Sequence, residues 1–292
     1  MLLKRVITAG IFGIAITAAL LFASPVVAAA VLGLLWLAGA WEWAGFAKLG
    51  LTARLVYTAL FAVALALGWR WLDTAAARVV LIAALAWWAV ALALGWRWLD
   101  TDGTLVLLGI ALMWWAAAFV LVLQFPRSFN SAFVAAAGVV VLVPSWTLLV
   151  RLHGAGELGA KLAFTLLLIV WAADVGAFVF GRWLGSTRLA PAVSPGKTWE
   201  GVTGGLLLAG VAAGAAAAWV GLPTNRLVVL GVLTALVSVL GDLTQSMFKR
   251  NVGLKDSGRL LPGHGGVLDR IDSLTAAVPA FVGGLVALGL AP

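Results

Sequence analysis

Residues 227–248 read LVVLGVLTALVSVLGDLTQSMF, an apolar run that contains a single charged residue, Asp242. A run of this length is sufficient to cross the hydrocarbon core of a bilayer, which takes about 20 residues of helix. Since lipid offers the backbone no hydrogen-bonding partner, such a run must satisfy its own peptide groups and is predicted to be helical. The stretch therefore predicts a transmembrane helix with a carboxylate near its C-terminal end.

Similar runs recur along the whole chain. The 292 residues are 64% hydrophobic and only 10% charged, with a mean hydropathy of +1.12, whereas a soluble domain is nearer half apolar and a quarter charged. We therefore predict an all-α polytopic membrane protein, a bundle of about 9–10 transmembrane helices with two functional cytoplasmic loops. The candidate spans are 6–23, 26–47, 53–72, 78–98, 104–124, 131–150, 158–181, 202–220, 227–248 and 273–291.

The N-terminal half has two features of its own. Lys4 and Arg5 precede the first apolar run, which fits a signal peptide, but a first transmembrane helix is the better explanation because the hydrophobic pattern continues throughout the chain. The sequence AVALALGWRWLDT occurs twice, which indicates a local duplication of one helix and its loop; the copies are Ala62–Thr74 and Ala89–Thr101. We divide the chain into N-terminal transmembrane helices (1–150) and a C-terminal catalytic region (151–292).

Basic residues orient the chain in the membrane. The segments 182–200 and 249–272 are rich in Lys and Arg, so the positive-inside rule places both in the cytoplasm. Counting back through ten spans then puts Lys4 and Arg5 outside, against the same rule; either one early span is not a true crossing or the duplication disturbs the count. The net charge of +8 lies in short loops and does not indicate nucleic-acid binding.

Charge is concentrated in the segment 249–272, which holds eight of the chain's 30 charged residues among glycines that let the backbone approach an anion closely. Asp242 and Asp174 lie inside apolar spans, where a carboxylate is costly unless it is paired or bound to a cation, so both are predicted to be functional. Ser246 follows Asp242 by four residues and so lies on the same face of the helix. A metal and phosphate site is predicted, with Asp242 and Asp269 as ligands and nearby Lys and Arg holding phosphates; the alternative is a loop that is charged only to stay in water.

The other basic loop contains SPGKTWEG, residues 194–201. A P-loop is excluded because Pro191 stands where that motif requires glycine, and no strand is predicted before it. Lys197 is a candidate phosphate contact beside a helix N-terminus. The alternative is that the loop is only a capped helix start, with Thr198 as the N-cap.

These motifs resemble those of the bacterial phosphatidate cytidylyltransferases, also called CDP-diacylglycerol synthases. The resemblance rests on SMFKR (246–250), KDSG (255–258) and LPGHGGVLDRID (261–272), and extends to DVGAF (174–178), KTWEG (197–201) and GDL (241–243). It is strong from about residue 165 onward. Val175 stands where the family has Ser or Thr, which weakens any role for that side chain.

The resemblance implies that CTP and phosphatidic acid react to CDP-diacylglycerol and pyrophosphate with Mg²⁺, and leaves a second cation and a homodimer open. It implies a multi-pass protein of the bacterial inner membrane whose site faces the cytoplasm. The implied catalytic residues are Lys249, Arg250, Lys255, Asp256 and Arg270; the substrate contacts are Lys197, Arg188, Thr198, Ser246, His264, Gly265 and Gly266; the metal ligands are Asp242, Asp269 and Asp174. His264 has two interpretations, substrate contact or loop structure on one side and catalysis on the other.

Two alternatives of other kinds remain at this point. A cytidylyltransferase acting on another lipid, such as a polyprenol, would share the metal and phosphate chemistry. An ion-coupled transporter would use Asp174 and Asp242 midway through the membrane, but it predicts inverted repeats, and the duplication found here is direct and distant from the acids.

Overall fold

A computed structural model describes residues 2–71, 103–258, 260–261 and 265–292. Within these ranges the chain forms nine helices and one small hairpin. The helices are α1 (Leu2–Phe22), α2 (Pro25–Phe46), α3 (Leu51–Trp71), α4 (Gly103–Leu123), α5 (Ser131–Gly154), α6 (Gly156–Trp183), α7 (Trp199–Val220), α8 (Thr224–Asn251) and α9 (Leu268–Ala287); the strands are β1 (Arg188–Ala190) and β2 (Ser194–Thr198).

The predicted membrane bundle is confirmed. Eight of the described helices, α2 to α9, are long and apolar enough to cross a membrane, and α1 adds a shorter apolar stretch, Gly10–Phe22. The candidate span 78–98 and the second copy of the repeat lie outside the described residues. The division of the chain at residue 150 stays a prediction.

Helix α5 lies at the centre of the bundle, where residues 140–150 are all buried. Helix α2 is fixed against it by two indole hydrogen bonds: Trp36 donates to Ser145 Oγ at 2.9 Å and Trp43 donates to the Val134 carbonyl at 2.7 Å. Such bonds satisfy the polar end of a buried indole and set the rotation of one helix against the other. Helix α2 is therefore fixed in position and rotation against α5.

Helices α6 and α7 approach each other closely because small residues face each other. A Cβ atom added at Gly176 would overlap the backbone of Gly204, so only glycine permits this spacing. The close packing brings Asp174 on α6 near β2, which precedes α7. The hairpin itself, with Arg188 opposite Thr198 and Ala190 opposite Ser194, was not expected from the sequence, which predicted no strand there.

Contacts at the helix ends define two faces of the bundle. At one face, the Phe129 amide before α5 donates to Asn251 at the end of α8, at 2.9 Å. At the other, Arg151 Nη1 bonds Thr104 Oγ1 at 2.7 Å and His153 Nε2 lies 2.9 Å from the Leu20 carbonyl. We call the first the site face and the second the opposite face.

The two faces remove the counting conflict at the N-terminus. Helix α3 begins at the site face, since Tyr57 in its second turn bonds the Ala135 carbonyl near the start of α5, and so it ends at the opposite face. Helix α4 begins at that opposite face, at Thr104. Counted through the nine described helices, the N-terminal end of α1 lies at the site face together with both basic loops, as the positive-inside rule requires.

Candidate active site

The first basic loop meets α8 at an ion pair between β2 and that helix. Lys197 Nζ lies 2.7 Å from Asp242 Oδ2, and the two side chains are 26% and 31% exposed. The other carboxylate oxygen of Asp242 accepts a hydrogen bond from Ser246 Oγ at 3.1 Å. The predicted shared face of Asp242 and Ser246 is confirmed.

A second ion pair joins α8 to α9 and is nearly buried. Lys249 Nζ lies 2.8 Å from Asp269 Oδ1, with side-chain exposures of 9% and 8%. Asp269 Oδ2 accepts two further hydrogen bonds from the backbone, from the Ser257 amide at 2.9 Å and the Gly266 amide at 3.0 Å. One carboxylate therefore orients the lysine and fixes the two ends of the loop 257–266 at the same time.

Asp174 lies between two cavities. The first, the hairpin cavity, has a volume of about 490 Å³ and is lined by Asp174 together with Arg182, Lys197, Thr198 and Asp242. Asp174 also interacts electrostatically with Asp242, Lys197 and Arg270. It shares a face of α6 with Arg182, two helical turns away, so α6 presents one acid and one base to this cavity.

The second cavity, which we call the α1 cavity, has a volume of about 720 Å³. Its walls are the apolar faces of α1 and α6, with Phe12 and Trp171 among them, while its polar end is formed by Asp174, Asp269, Arg270 and Asp272. The apolar walls suit a lipid tail, and an anionic head would contact Arg270 with a cation offsetting the three carboxylates. Asp174 is the charged residue common to both cavities.

Asp272 lies inside the last helix, ahead of the start at residue 273 that the sequence predicts. Helix α9 begins at Leu268 rather than at 273, so Asp272 lies within it, and its carboxylate accepts from the next amide, Ser273, at 2.8 Å. The side chain interacts electrostatically with Asp242 and Asp174. The earlier start also puts Asp269 and Arg270 on the first turn of the helix.

The remaining predicted residues are less central. Arg188, Lys255 and Asp256 are exposed at the site face, and Arg250 donates to the carbonyls of Val193 (3.4 Å) and Leu254 (3.1 Å). These four residues do not line either cavity. His264 lies outside the described residues. The roles of all these side chains stay predictions.

Two of the predicted substrate contacts, Thr198 and Gly265, also have a role in the local backbone structure. Thr198 Oγ1 accepts from the Gly201 amide at 3.1 Å and is the N-cap of α7, as predicted. Thr198 and Lys197 also line the hairpin cavity, and their substrate contacts stay predictions. Gly265 has a φ of +83°, a conformation that glycine adopts without strain. Its carbonyl accepts from the Leu261 amide at 3.0 Å.

Sequence reasoning missed Glu42, a buried carboxylate on α2 with 2% exposure. It accepts hydrogen bonds from Ser257 Oγ at 2.7 Å, the Val267 amide at 3.0 Å and the Leu268 amide at 2.8 Å. The signal was present, because Glu42 lies inside the predicted span 26–47 and an acid at membrane depth is functional by default.

The acids can be tested as holders of a magnesium ion. Among the described residues, no three acidic or histidine side chains come together closely enough to hold a metal ion unaided. Oxygen donors are nevertheless of the type that Mg²⁺ prefers, and the ion usually takes only one or two carboxylates and completes its shell with water and substrate phosphates. The mutual repulsion of Asp174, Asp242 and Asp272 would be relieved by a cation, so the residues fit Mg²⁺ with a substrate present.

Comparison with known proteins gives a consistent result. The model of a family described as the cytidylyltransferase family matches residues 3–286. The chain is similar to a phosphatidate cytidylyltransferase of Haemophilus influenzae, with 38% identity over 300 residues that cover 96% of this chain and 97% of the relative. It is also similar to a phosphatidate cytidylyltransferase of Pseudomonas aeruginosa, with 39% identity over 259 residues, 86% of this chain and 84% of the relative.

Proposed function

The chain belongs to the cytidylyltransferase family, and we propose from that membership that it transfers CMP from CTP to phosphatidic acid, giving CDP-diacylglycerol and pyrophosphate. The observation that carries the proposal is the position of Asp174 between two cavities of different character. The hairpin cavity presents Arg182 and Lys197 and so suits a nucleoside triphosphate, whereas the α1 cavity, with its apolar walls and Arg270, suits a phospholipid. The two substrates would meet near Asp174.

The reaction balances without an added base. A phosphate oxygen of phosphatidic acid, already anionic at neutral pH, attacks the α-phosphorus of CTP and forms the new P–O bond. The bond from the α-phosphorus to the bridging oxygen of the β-phosphate breaks, and pyrophosphate leaves with that electron pair. Catalysis then consists of aligning two anions and offsetting their charge.

The cations of the site are placed for this task. Lys197 lies in the hairpin cavity, where it would contact the triphosphate, and Arg270 lies at the charged end of the α1 cavity, where it would contact the lipid phosphate. Lys249, held by Asp269 at 2.8 Å, would offset charge that develops on the leaving pyrophosphate. Arg188, Arg250 and Lys255 at the site face would raise the local concentration of CTP.

We also propose a role for Mg²⁺, held by one or two of the predicted ligands Asp174, Asp242 and Asp269 together with phosphate oxygens. When bound, the ion would neutralise charge on the triphosphate. A second cation and a homodimer stay predictions.

The test is product identification with purified protein. Radiolabelled CTP, Mg²⁺ and phosphatidic acid are expected to give a lipid-soluble CDP product and one equivalent of pyrophosphate. A parallel reaction with a polyprenyl phosphate in place of phosphatidic acid is expected to give none. Product from the polyprenyl phosphate alone would overturn the substrate assignment, and no product from either lipid would overturn the activity.

We further propose that the chain lies in a bacterial inner membrane with the site face in the cytoplasm. The chain has no cysteine, so each introduced cysteine is the only thiol. A membrane-impermeant maleimide is expected to label Asn225→Cys, which is exposed at the opposite face, in intact cells, and to label Leu260→Cys at the site face only after permeabilisation. The reverse pattern would overturn the orientation.

A further inference from the structure

We propose that Glu42 of α2 is a positioning residue that holds the two ends of the loop 257–268 in place, at Ser257 and at Val267 and Leu268. This inference rests on the proposed function, since both ends of the loop bond Asp269, which orients Lys249. Glu42 lies more than 200 residues before the loop in the chain, with sequence separations of 215 to 226 from its partners. Glu42 is not part of the family signature at 246–272.

Glu42 caps α9 from another helix. The first turn of α9 has free amide groups, and its own N-cap residue, Val267, provides no side-chain hydrogen bond. Glu42 supplies the missing acceptors, since Oε1 accepts from Val267 N at 3.0 Å and Oε2 accepts from Leu268 N at 2.8 Å. A carboxylate at a helix N-terminus is favoured by both the free amides and the helix dipole.

Glu42 and Asp269 both accept hydrogen bonds from the two ends of the loop. At Ser257 the hydroxyl bonds Glu42 while the amide bonds Asp269. At the far end, the Gly266 amide bonds Asp269 and the next amide, Val267, bonds Glu42. Two carboxylates thus clamp both ends of the segment, and one of them also binds Lys249. A displacement at Glu42 would pass directly to Asp269 and its lysine.

The space around Glu42 explains two glycines of the signature. A Cβ atom at Gly258 or at Gly266 would collide with the Glu42 carboxylate. The side chain therefore fits against the bare backbone on both sides of the loop, and its rotamer is set by this packing as well as by hydrogen bonds. Since α2 is itself fixed to α5 by Trp36 and Trp43, the carboxylate is presented by a rigid element.

The first experiment measures turnover of Glu42→Gln, an isosteric change that puts an amide NH₂ opposite backbone donors. We expect kcat to fall on the order of 100-fold, because a small misplacement of catalytic groups costs about that much, while the KM for CTP changes much less. The matched control is Glu157→Gln, an exposed acid at the opposite face that pairs only with Lys161, and it is expected to keep wild-type kinetics.

The second experiment measures the mobility of the loop and does not depend on activity. A spin label on Leu260→Cys, an exposed position with 55% exposure inside the loop, is expected to become more mobile when Glu42→Gln is added. Ser257→Ala, which removes only one of the Glu42 hydrogen bonds, is expected to give an intermediate kcat, and the double variant Glu42→Gln/Ser257→Ala is expected to be no slower than Glu42→Gln alone.

The outcomes separate the proposals. Unchanged spin-label mobility, a kcat equal to wild type in Glu42→Gln, or fully multiplicative effects in the double variant would each overturn the positioning role. If Glu42→Gln fails to fold, Ser257→Ala with the spin label gives the same test. A wild-type protein that makes no lipid-soluble CDP product would overturn the proposed function instead, while the mobility result would still decide the clamp.

Discussion

The buried ion pair between Lys249 and Asp269 gives the sharpest prediction. The change is Asp269→Asn, which keeps the shape of the side chain and removes its charge. The carboxylate now serves three donors: Lys249 Nζ at 2.8 Å, Ser257 N at 2.9 Å and Gly266 N at 3.0 Å. An amide has one acceptor oxygen, so it can keep either the lysine or the backbone donors, and its NH₂ group must face the others.

The magnitude follows from burial. The two side chains are 9% and 8% exposed, and removal of one partner from a buried pair costs about 3–5 kcal/mol because the remaining charge is left without compensation. Turnover is expected to fall by about 10²- to 10³-fold, the usual loss when a preorganised group that stabilises transition-state charge is displaced. Lys249→Met is expected to lose similar turnover. The double variant should recover part of the stability and none of the activity.

The assay combines two measurements on purified protein: incorporation of radiolabelled CTP into lipid, and the midpoint of thermal unfolding in detergent. Glu157→Gln serves as the control because its pair with Lys161 is exposed and contributes little. Turnover by Asp269→Asn within about threefold of wild type would refute the reasoning, since a displaced lysine must affect the transition state. Equal stability of the variant and wild type would refute the burial argument alone.

Two further predictions concern the hairpin and the loop. Lys197→Met removes an ion pair whose side chains are 26% and 31% exposed, so the free energy of unfolding should change by less than about 1 kcal/mol. The KM for CTP should rise roughly tenfold because a phosphate contact is lost. Lys161→Met is the matched control, and an unchanged KM for CTP in Lys197→Met would count against the contact. Gly266→Ala places a methyl group against Glu42, which should lower the free energy of unfolding by about 1–3 kcal/mol and remove most of the turnover. The control Gly109→Ala has open space around the new methyl group and should be neutral or stabilising. Equal unfolding midpoints for the two variants would contradict the steric argument.

The parts of the site that the sequence predicted are those with a local physical signature. Asp174 and Asp242 were found because a carboxylate inside an apolar run is expensive and requires a reason. The face shared by Asp242 and Ser246 follows from helical spacing and is seen as a hydrogen bond of 3.1 Å. Glu42 carries the same signal within the span 26–47, but it lies about 200 residues before the charged loop 249–272.

The start of α9 was misplaced for a reason that is not local. The residues 268–272 are rich in charge, which suggests a loop, and the sequence therefore predicts that the helix starts at 273. In the structure the helix starts at Leu268 because its first amides find an acceptor on α2, Glu42, at 2.8 Å. A cap supplied from 226 residues away has no signature in the neighbouring sequence.

The sequence by itself determined that the chain is a membrane bundle, that its chemistry lies at membrane-embedded acids and two basic loops, and which family it resembles. These conclusions depend on the length of apolar runs, the cost of burying charge and the order of residues in a motif, all of which are properties of short segments. Only the tertiary structure decided that Lys197 pairs with Asp242 and Lys249 with Asp269, and that α2 clamps the loop through Glu42. Which donor meets which carboxylate depends on the rotation and spacing of packed helices, and no single segment contains that information.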